Sequence, residues 1–166
     1  DYFGNPTTFV TIQQGHLELV LHSLSVIEVA ERPIPAPDAT PPWEEVRRRA
    51  WSERSEEALE ALEFTFASTY VPIQTEFETY AACSFVPGRP VLAAARDLTH
   101  RIYSGFTYDP GATSLATNTA DAFALRRGVC QDFAHIEIAC LRALGLPARY
   151  ISGYLLTRPA PGKERL

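Results

Sequence analysis

The chain has 166 residues, of which 46% are hydrophobic and 21% are charged, and this length suits one folded domain or one domain with part of another. The net charge of -5 gives no reason to expect nucleic acid or a membrane as a partner, and every apolar run ends before the roughly 18 residues that a membrane span requires. Three cysteines, an odd number, do not make a disulfide framework, which favours a reducing, cytoplasmic setting.

The beginning of the chain predicts a β-rich region. No methionine is present and the first residue is Asp1, so we expect a piece of a longer protein. Apolar residues cluster at 9–12 and alternate at 17–21 on either side of a turn at Gly15, a pattern typical of two antiparallel strands. The alternation changes phase after Leu21, which favours a bulge or a bend.

A proline-rich stretch follows this β region. Residues 32–42 hold five of the thirteen prolines, and proline can join neither the middle of a β ladder nor a helix interior. We therefore predict a linker here. The chain divides into residues 1–42, the end of a β-rich N-terminal domain with its linker, and residues 43–166, the helical part and first strand of a second domain.

The second part of the chain is predicted to be mainly helical. The predicted helices span 43–49, 55–66, 75–85, 91–104, a short segment ending at Arg126, and 130–144. Ser55 is the expected N-cap of the second of them, and Gly128 is the expected terminator of the short one. Gly145 is expected to end the last helix in a left-handed conformation, followed by Pro147. Residues 148–156 predict a strand.

Cys130 begins the longest predicted helix, and two interpretations of its thiol are open. A helix N-terminus carries unpaired N–H groups and a partial positive charge, which favour a thiolate and can hold the oxyanion that forms when it attacks an acyl carbon. Alternatively, Cys130 is a buried, inert thiol, as free cysteines commonly are. His135 lies ~140° around the axis and ~7.5 Å along it, so it cannot be the base. The other histidines lie upstream, with no evident reason to meet the thiol: His16, His22 and His100.

The rest of this helix separates into a polar stripe and an apolar arc. The stripe consists of Gln131, Asp132, His135 and Arg142. His135 is expected to be a solvated or supporting histidine, and no metal site with Cys130 is expected, because ligands five residues apart on a helix do not face each other. Glu137 falls inside the apolar arc and would need a partner such as an arginine or a tyrosine. Cys140, on the core face, and Cys83 are expected to be inert thiols.

The motif around Cys130 resembles that of a known family. GVCQDFAH, followed by LRALGLPARYISGYL, resembles the bacterial branch of the transglutaminase-like superfamily, and FTYDPGAT resembles the segment that precedes the nucleophile helix there. DYFGNPTTFVTIQQGHLELVLHSLSVIEV and WEEVR resemble its N-terminal β domain. The resemblance implies an α+β protein: an N-terminal antiparallel β region, then a papain-like core whose nucleophile-bearing helix packs on an antiparallel sheet. This core is expected to be incomplete in the chain.

The resemblance also implies a chemistry, which is acyl transfer through a thioester. Cys130 matches the nucleophile and, through its N–H, an oxyanion donor. Gln131, Asp132 and Tyr154 match motif positions that line the helix start or the next strand, and they are expected to support the nucleophile or the binding of substrate. The family's histidine and aspartate follow the SGY strand by several tens of residues, and no histidine follows His135 here. We therefore expect the parent protein to be active and this fragment to be inactive. No cofactor is implied, and calcium is not expected, since no loop has its ligand spacing.

Three interpretations of the chain remain open, two of which follow from the resemblance. The first is a cysteine-dependent acyltransferase, amidase or peptidase acting on a peptide or protein with an amide or glutamine side chain, with water or an amine as acceptor. The second is a non-catalytic transglutaminase-like domain whose cleft binds peptides. On the third, Cys130 is a core thiol of an unrelated α+β domain, and it would then be buried with no cleft.

Overall fold

The computed structural model describes residues 7–22, 26, 28, 30, 33–114 and 116–153. The chain divides into two compact units, Asp1–Pro33 and Ile34–Leu166, which are described separately. Within the described ranges, no helix is long and apolar enough to cross a membrane.

The described residues of the first unit do not form the predicted strands. Residues 7–22 contain no strand, so the two antiparallel strands expected at 9–12 and 17–21 are wrong for this structure. The physical reason is that alternation produces a strand only where one face is buried and a neighbouring strand completes the ladder. Here Phe9 is 95% exposed and Leu17 is fully exposed. The predicted bulge falls partly on residues outside the described ranges.

The second unit is mainly helical, as predicted, and the α+β class is confirmed. A short 3-10 helix, Pro37–Ala39, precedes the first α-helix. The α-helices are α1 (Trp43–Ser52), α2 (Glu56–Glu63), α3 (Thr75–Ala82), α4 (Val91–Gly105), α5 (Thr119–Leu125) and α6 (Cys130–Ala143). Two short strands, β1 (Thr107–Tyr108) and β2 (Arg127–Gly128), lie between the last three helices.

The strands of the second unit differ from the prediction. β1 and β2 pair in parallel, with Thr107 opposite Arg127, whereas an antiparallel sheet was expected under the nucleophile helix. Residues 148–153 form no strand, and the remaining predicted strand residues lie outside the described ranges. A strand requires a continuous ladder of partners, and between residues 148–153 and the other described residues there is one such backbone bond, from Ala148 N–H to the carbonyl of Phe64 (3.1 Å).

The core of the second unit forms where α6 packs on α3 and α4. Phe77, Leu98, Ile136 and Cys140 are completely buried in it. The Phe77 ring lies against Phe123 of α5, with the ring centroids 5.0 Å apart. Burying each large apolar side chain contributes about 1.5–3 kcal/mol, so the burial of Ile136 together with Phe77 and Leu98 stabilises the packing of α6 on α3 and α4.

Part of the proline-rich stretch is integrated into the second unit. Val91 N–H donates to the carbonyl of Pro41 (2.9 Å), and Trp43 N–H donates to the carbonyl of Arg89 (3.1 Å). The Trp43 indole also donates to the carbonyl of Val86 (3.1 Å). Proline retains its carbonyl oxygen, and the carbonyl of Pro41 therefore pairs the end of this stretch with the start of α4, while Trp43 bonds the turn that precedes α4.

Two predicted helix ends can be compared directly with the structure. Ser55 accepts a hydrogen bond from Ala58 N–H (3.2 Å), which confirms it as the N-cap of α2. Gly145 follows α6 with φ of +76°, which confirms the predicted left-handed ending.

The end of α5 is different. The left-handed residue there is Arg126, with φ of 54°, and not the predicted Gly128. A non-glycine residue in this region costs about 1–2 kcal/mol. The guanidinium carbon of Arg126 lies 4.5 Å from the Phe123 ring centroid and 4.6 Å from that of Phe106, so cation–π attraction offsets the cost.

Candidate active site at the start of helix α6

Cys130 is the first residue of α6, and its side chain is exposed. The position at the helix start is as predicted, and the exposure excludes the interpretation of Cys130 as a buried core thiol. Cys140, by contrast, is completely buried, and burial together with the charge of Glu137 raises the pKa of its thiol to about 12. Cys83 is also exposed, but it lies at a C-terminal helix end, as the C-cap of α3.

The side chain of Val129, the residue before Cys130, caps none of the N–H groups in the first turn of α6. Val129 is the N-cap, and its side chain has no atom that can accept a hydrogen bond from the first turn. The first helical hydrogen bond runs from Phe133 N–H to the carbonyl of Val129 (3.1 Å). In the part of the chain that the structure describes, the N–H groups of Cys130, Gln131 and Asp132 have no acceptor. Three donors beside the thiol are therefore open to an oxygen that carries developing charge.

Asp132 fixes the backbone that leads into this turn. Its Oδ2 atom accepts hydrogen bonds from Val129 N–H (2.8 Å) and from the hydroxyl of Thr113 (2.6 Å). The side chain is buried at 9% exposure, so these two bonds compensate a carboxylate that has lost most of its water. The Asp132 carboxylate accepts from the N–H of Val129, which precedes the helix, and not from the N–H groups of the first helical turn. Those N–H groups therefore keep no side-chain acceptor among the described residues.

Gly128 leaves the space that the Asp132 carboxyl group occupies. A Cβ atom at residue 128 would lie 2.5 Å from Oδ2 of Asp132 and 3.0 Å from its Cβ. The backbone of Gly128 also completes the strand pair, since its carbonyl accepts from Asp109 N–H (2.8 Å). Only glycine allows the carboxyl group and the strand to approach this closely.

The loop after β1 contacts both β2 and the first turn of α6. Asp109 forms a turn with Pro110 and Gly111, in which Oδ1 of Asp109 accepts from Gly111 N–H (2.9 Å). The Arg127 guanidinium pairs with the Asp109 carboxylate on the surface. The segment FTYDPGAT therefore contacts β2 through Asp109 and the first turn of α6 through Thr113.

The predicted site residues are thus placed as follows. Cys130, Gln131 and Asp132 form the first turn of α6, with the thiol exposed, Gln131 half-buried and Asp132 buried. Tyr154 lies outside the described residues. Thr113 and Gly128 were not identified from the sequence as parts of the site, and the only signal was their presence in the two quoted motifs.

The polar stripe of α6 faces protein for much of its length. Arg142 is 8% exposed and donates to the carbonyls of Phe66 (2.7 Å) and Ala148 (2.9 Å). Burial lowers the pKa of Arg142, yet these backbone acceptors keep its guanidinium compensated. Arg142 therefore holds two chain segments against the C-terminal half of the helix.

His135 is half-buried between two tyrosines. Its ring stacks on Tyr70, with centroids 5.5 Å apart and planes 5° apart, and contacts Tyr150 at 5.2 Å. The carbonyl of Ala148 accepts from Arg142, and the ring of Tyr150 contacts His135, which lies two turns nearer the start of the helix. Residues 148–150 therefore run along α6 towards its N-terminus. His135 is thus a packing residue here, closer to the predicted supporting role than to a solvated one.

Glu137 also has a partner, although a different one from that expected. Its carboxylate accepts a hydrogen bond from the hydroxyl of Thr99 (2.7 Å), and not from an arginine or a tyrosine. Burial raises the pKa of Glu137, and the bond from Thr99 opposes this shift. Among the described residues, no group of three histidine, cysteine, aspartate or glutamate side chains could hold a metal ion.

Lowering the pH is expected to destabilise the fold through His135. Burial lowers the pKa of His135 below its ordinary 6.5, and the charge of Asp132 only partly opposes this. The unfolded chain therefore binds the proton first, so the contribution is fully present above about pH 6.5 and is lost as the pH falls through the folded pKa. Urea unfolding at pH 7.5 and 5.5 measures the loss. His135→Phe, which retains a ring for stacking, should show a smaller loss, and an unchanged pH dependence would contradict this role.

Replacing Val129 by threonine is expected to stabilise the protein by up to about 1 kcal/mol and to slow alkylation of Cys130. Threonine has nearly the same shape as valine but adds a hydroxyl that can accept from the first turn, which withdraws a donor from the sulfur. Thermal unfolding measures the first effect. Iodoacetamide labelling, with Cys83 as the internal reference, measures the second. Faster or unchanged labelling of Cys130 in a stabilised variant would show that the open donors do not act on the thiol.

Comparison with known proteins identifies relatives of this chain. Residues 82–163 match the family model of the transglutaminase-like superfamily. An uncharacterized protein of Mycobacterium tuberculosis (strain H37Rv) is 40% identical over 169 residues, covering 100% of this chain and 52% of that protein. An uncharacterized protein of Mycobacterium leprae is 34% identical over 158 residues, covering 93% of this chain and 52% of that protein.

The chain therefore spans about half the length of the curated relatives it matches. Among solved structures, one of a proposed cysteine protease from Cytophaga hutchinsonii is 32% identical to this chain, with a TM-score of 0.48. That similarity covers 54% of this chain and 30% of the other one.

Proposed function

Because residues 82–163 match the transglutaminase-like superfamily, we propose that this chain provides the nucleophile, Cys130, for a cysteine-dependent acyl transfer or amide hydrolysis. One observation carries the proposal: an exposed thiol stands at the first residue of α6 beside N–H groups that have no acceptor among the described residues. A thiolate and an oxyanion are both stabilised by such donors.

The proposed reaction has two steps. The Cys130 thiolate attacks the carbonyl carbon of an amide in a peptide or protein, and the negative charge on the oxygen is held by the first-turn N–H groups. The C–N bond then breaks, the nitrogen leaves with a proton, and a thioester remains on the sulfur. Water or an amine attacks the thioester carbon, gives up a proton to the base, and releases the thiol.

This reaction needs a base within hydrogen-bond reach of the sulfur. The described histidines of the second unit are His100 and His135, and no hydrogen bond joins either ring to Cys130. By the family resemblance, the histidine and aspartate come several tens of residues after the SGY segment, and the relatives are about twice as long as the stretch they share with this chain. We therefore assign turnover to the full-length protein and expect none from residues 1–166 alone.

Trapping of the thioester tests the proposal. The full-length protein is incubated with a glutamine-containing peptide and quenched in acid, and the cysteine-containing fragments are weighed by mass spectrometry. The expected result is an acyl adduct on Cys130 and none on Cys83, with peptide hydroxamate formed when hydroxylamine is added. Peptide binding with neither adduct nor product would overturn the proposal and favour the non-catalytic peptide-binding domain.

The same proposal places the protein in a reducing compartment, the cytoplasm, because an exposed nucleophilic thiol must stay reduced. All three cysteines are free in the structure. Alkylation of intact cells before lysis should label Cys130, whereas recovery of Cys130 in a disulfide would contradict this location.

A further inference from the structure

The loop residue Thr113 is joined to the nucleophile helix by its side chain. Its hydroxyl donates to Oδ2 of Asp132 over 2.6 Å, across 19 residues of sequence. The same oxygen accepts Val129 N–H (2.8 Å), so one carboxylate oxygen connects the loop to the residue that immediately precedes Cys130. The contact is short and charge-assisted, which makes it one of the stronger kinds of hydrogen bond.

The surroundings of Asp132 make this bond hard to replace. The carboxylate is buried, and Thr113 and Val129 supply its hydrogen bonds. On a third side, the backbone of Gly128 lies so close that not even a methyl group would fit. If the Thr113 donor is removed, a buried carboxylate loses half of its compensation, and it must turn towards water or another donor.

Such a turn would also move the backbone at Cys130. Asp132 follows Cys130 by two residues, and its carboxylate accepts from the N–H of Val129, which immediately precedes Cys130. This bond fixes the orientation of the backbone at the start of α6. The first-turn N–H groups follow that orientation. A displacement of about 1 Å at a reacting group can cost roughly a hundredfold in rate.

We propose that Thr113 is a positioning residue for Cys130: through its hydrogen bond to Asp132, it fixes the first turn of α6 in the orientation that activates the thiol. The catalytic consequence rests on the proposed function. The effect on the thiol itself does not, because alkylation of Cys130 requires no base and no substrate.

The first experiment measures that effect in the chain of 166 residues. Iodoacetamide labelling rates of Cys130 are divided by those of Cys83 in the same molecules, for the wild type, Thr113→Val, Thr113→Ser and Thr117→Val. Valine keeps the shape of threonine without the donor, and serine keeps the donor. Thr117 is the matched control, because it is a threonine of the same loop whose hydroxyl accepts from Ser114 N–H (2.9 Å) and not one that donates to Asp132.

The expected result is a fall of the ratio of about tenfold in Thr113→Val, with Thr113→Ser and Thr117→Val within about threefold of wild type. An unchanged ratio in a folded Thr113→Val variant overturns the proposal. So does a ratio in Thr113→Ser as low as in Thr113→Val, because the lost methyl group would then be responsible and not the hydrogen bond. If Thr113→Val does not fold, Thr113→Ser and Thr113→Ala are compared in its place.

The second experiment measures amide turnover by the full-length protein. Thr113→Val should lower kcat by about ten- to a hundredfold with KM within about threefold, since it misplaces the nucleophile and removes no substrate contact. A raised KM with an unchanged kcat would overturn the positioning role. If the wild type shows no turnover, the proposed function fails, and the alkylation ratio still decides the role of Thr113.

Discussion

Replacing Cys130 by alanine is expected to lower amide turnover by the full-length protein at least about 1,000-fold. The substitution removes the only atom on which the thioester can form. It should leave the fold intact, because the side chain is exposed and the hydrogen bonds of Asp132 to Val129 and Thr113 do not involve it. Turnover is followed as ammonia release or hydroxamate formation, and thermal unfolding confirms that the variant is folded.

Cys83→Ala is the matched control for this experiment. Cys83 is also an exposed, free cysteine, but it lies at the C-terminal end of α3, where the helix partial charge is negative. Turnover by Cys83→Ala should equal that of the wild type. If Cys130→Ala keeps more than about a tenth of wild-type turnover, Cys130 is not the nucleophile.

Replacing Gly128 by alanine is expected to destabilise the protein by about 2–4 kcal/mol. The new methyl group would lie 2.5 Å from Oδ2 of Asp132, which is far inside contact distance. Either the carboxylate moves away and loses its bonds to Val129 and Thr113, or the strand β2 moves and loses its pairing with β1. Urea unfolding measures the change, and Gly153→Ala, whose new Cβ would have no atom of the described residues within 4 Å, should stay within about 0.5 kcal/mol of wild type.

A double-mutant cycle separates this clash from any intrinsic preference for glycine at residue 128. In the Asp132→Ala background the 2.5 Å contact with the carboxyl oxygen is absent, although the Cβ atom of residue 132 remains 3.0 Å away, so Gly128→Ala should cost at least about 1 kcal/mol less than in the wild type. If alanine at residue 128 is equally costly with and without the Asp132 carboxyl group, the close approach of that group is not the cause.

Local patterns located the helices of the second unit well. The spacing of apolar residues, Ser55 as a cap, and Gly145 as a left-handed ending all act within one or two turns of chain, so they are visible in the sequence. The strands at 9–12 and 17–21 were predicted by the same kind of pattern and are not observed. A strand depends on a partner elsewhere in the chain, and alternation alone does not supply one.

The candidate site was predictable only in part, for the same reason. Cys130 at the start of α6 follows from helix end signals, and its role as a nucleophile was suggested by the motif GVCQDFAH. Glu137 was recognised as a polar residue in an apolar arc that needs a partner. Its partner, Thr99, could not be predicted from the sequence, because the two residues are 38 positions apart and only the packing of α4 on α6 brings them together.

The sequence by itself therefore determined the helical order of residues 43–143, the placement of Cys130 at a helix start, and the match to the transglutaminase-like superfamily. Only the tertiary structure decided that the thiol is exposed, that Asp132 receives its second hydrogen bond from Thr113, and that Gly128 leaves the space for that carboxylate. The physical reason is the range of the interactions. Helix propensity and capping act between near neighbours in sequence, whereas burial and side-chain hydrogen bonds join segments whose proximity is set by packing of the whole core.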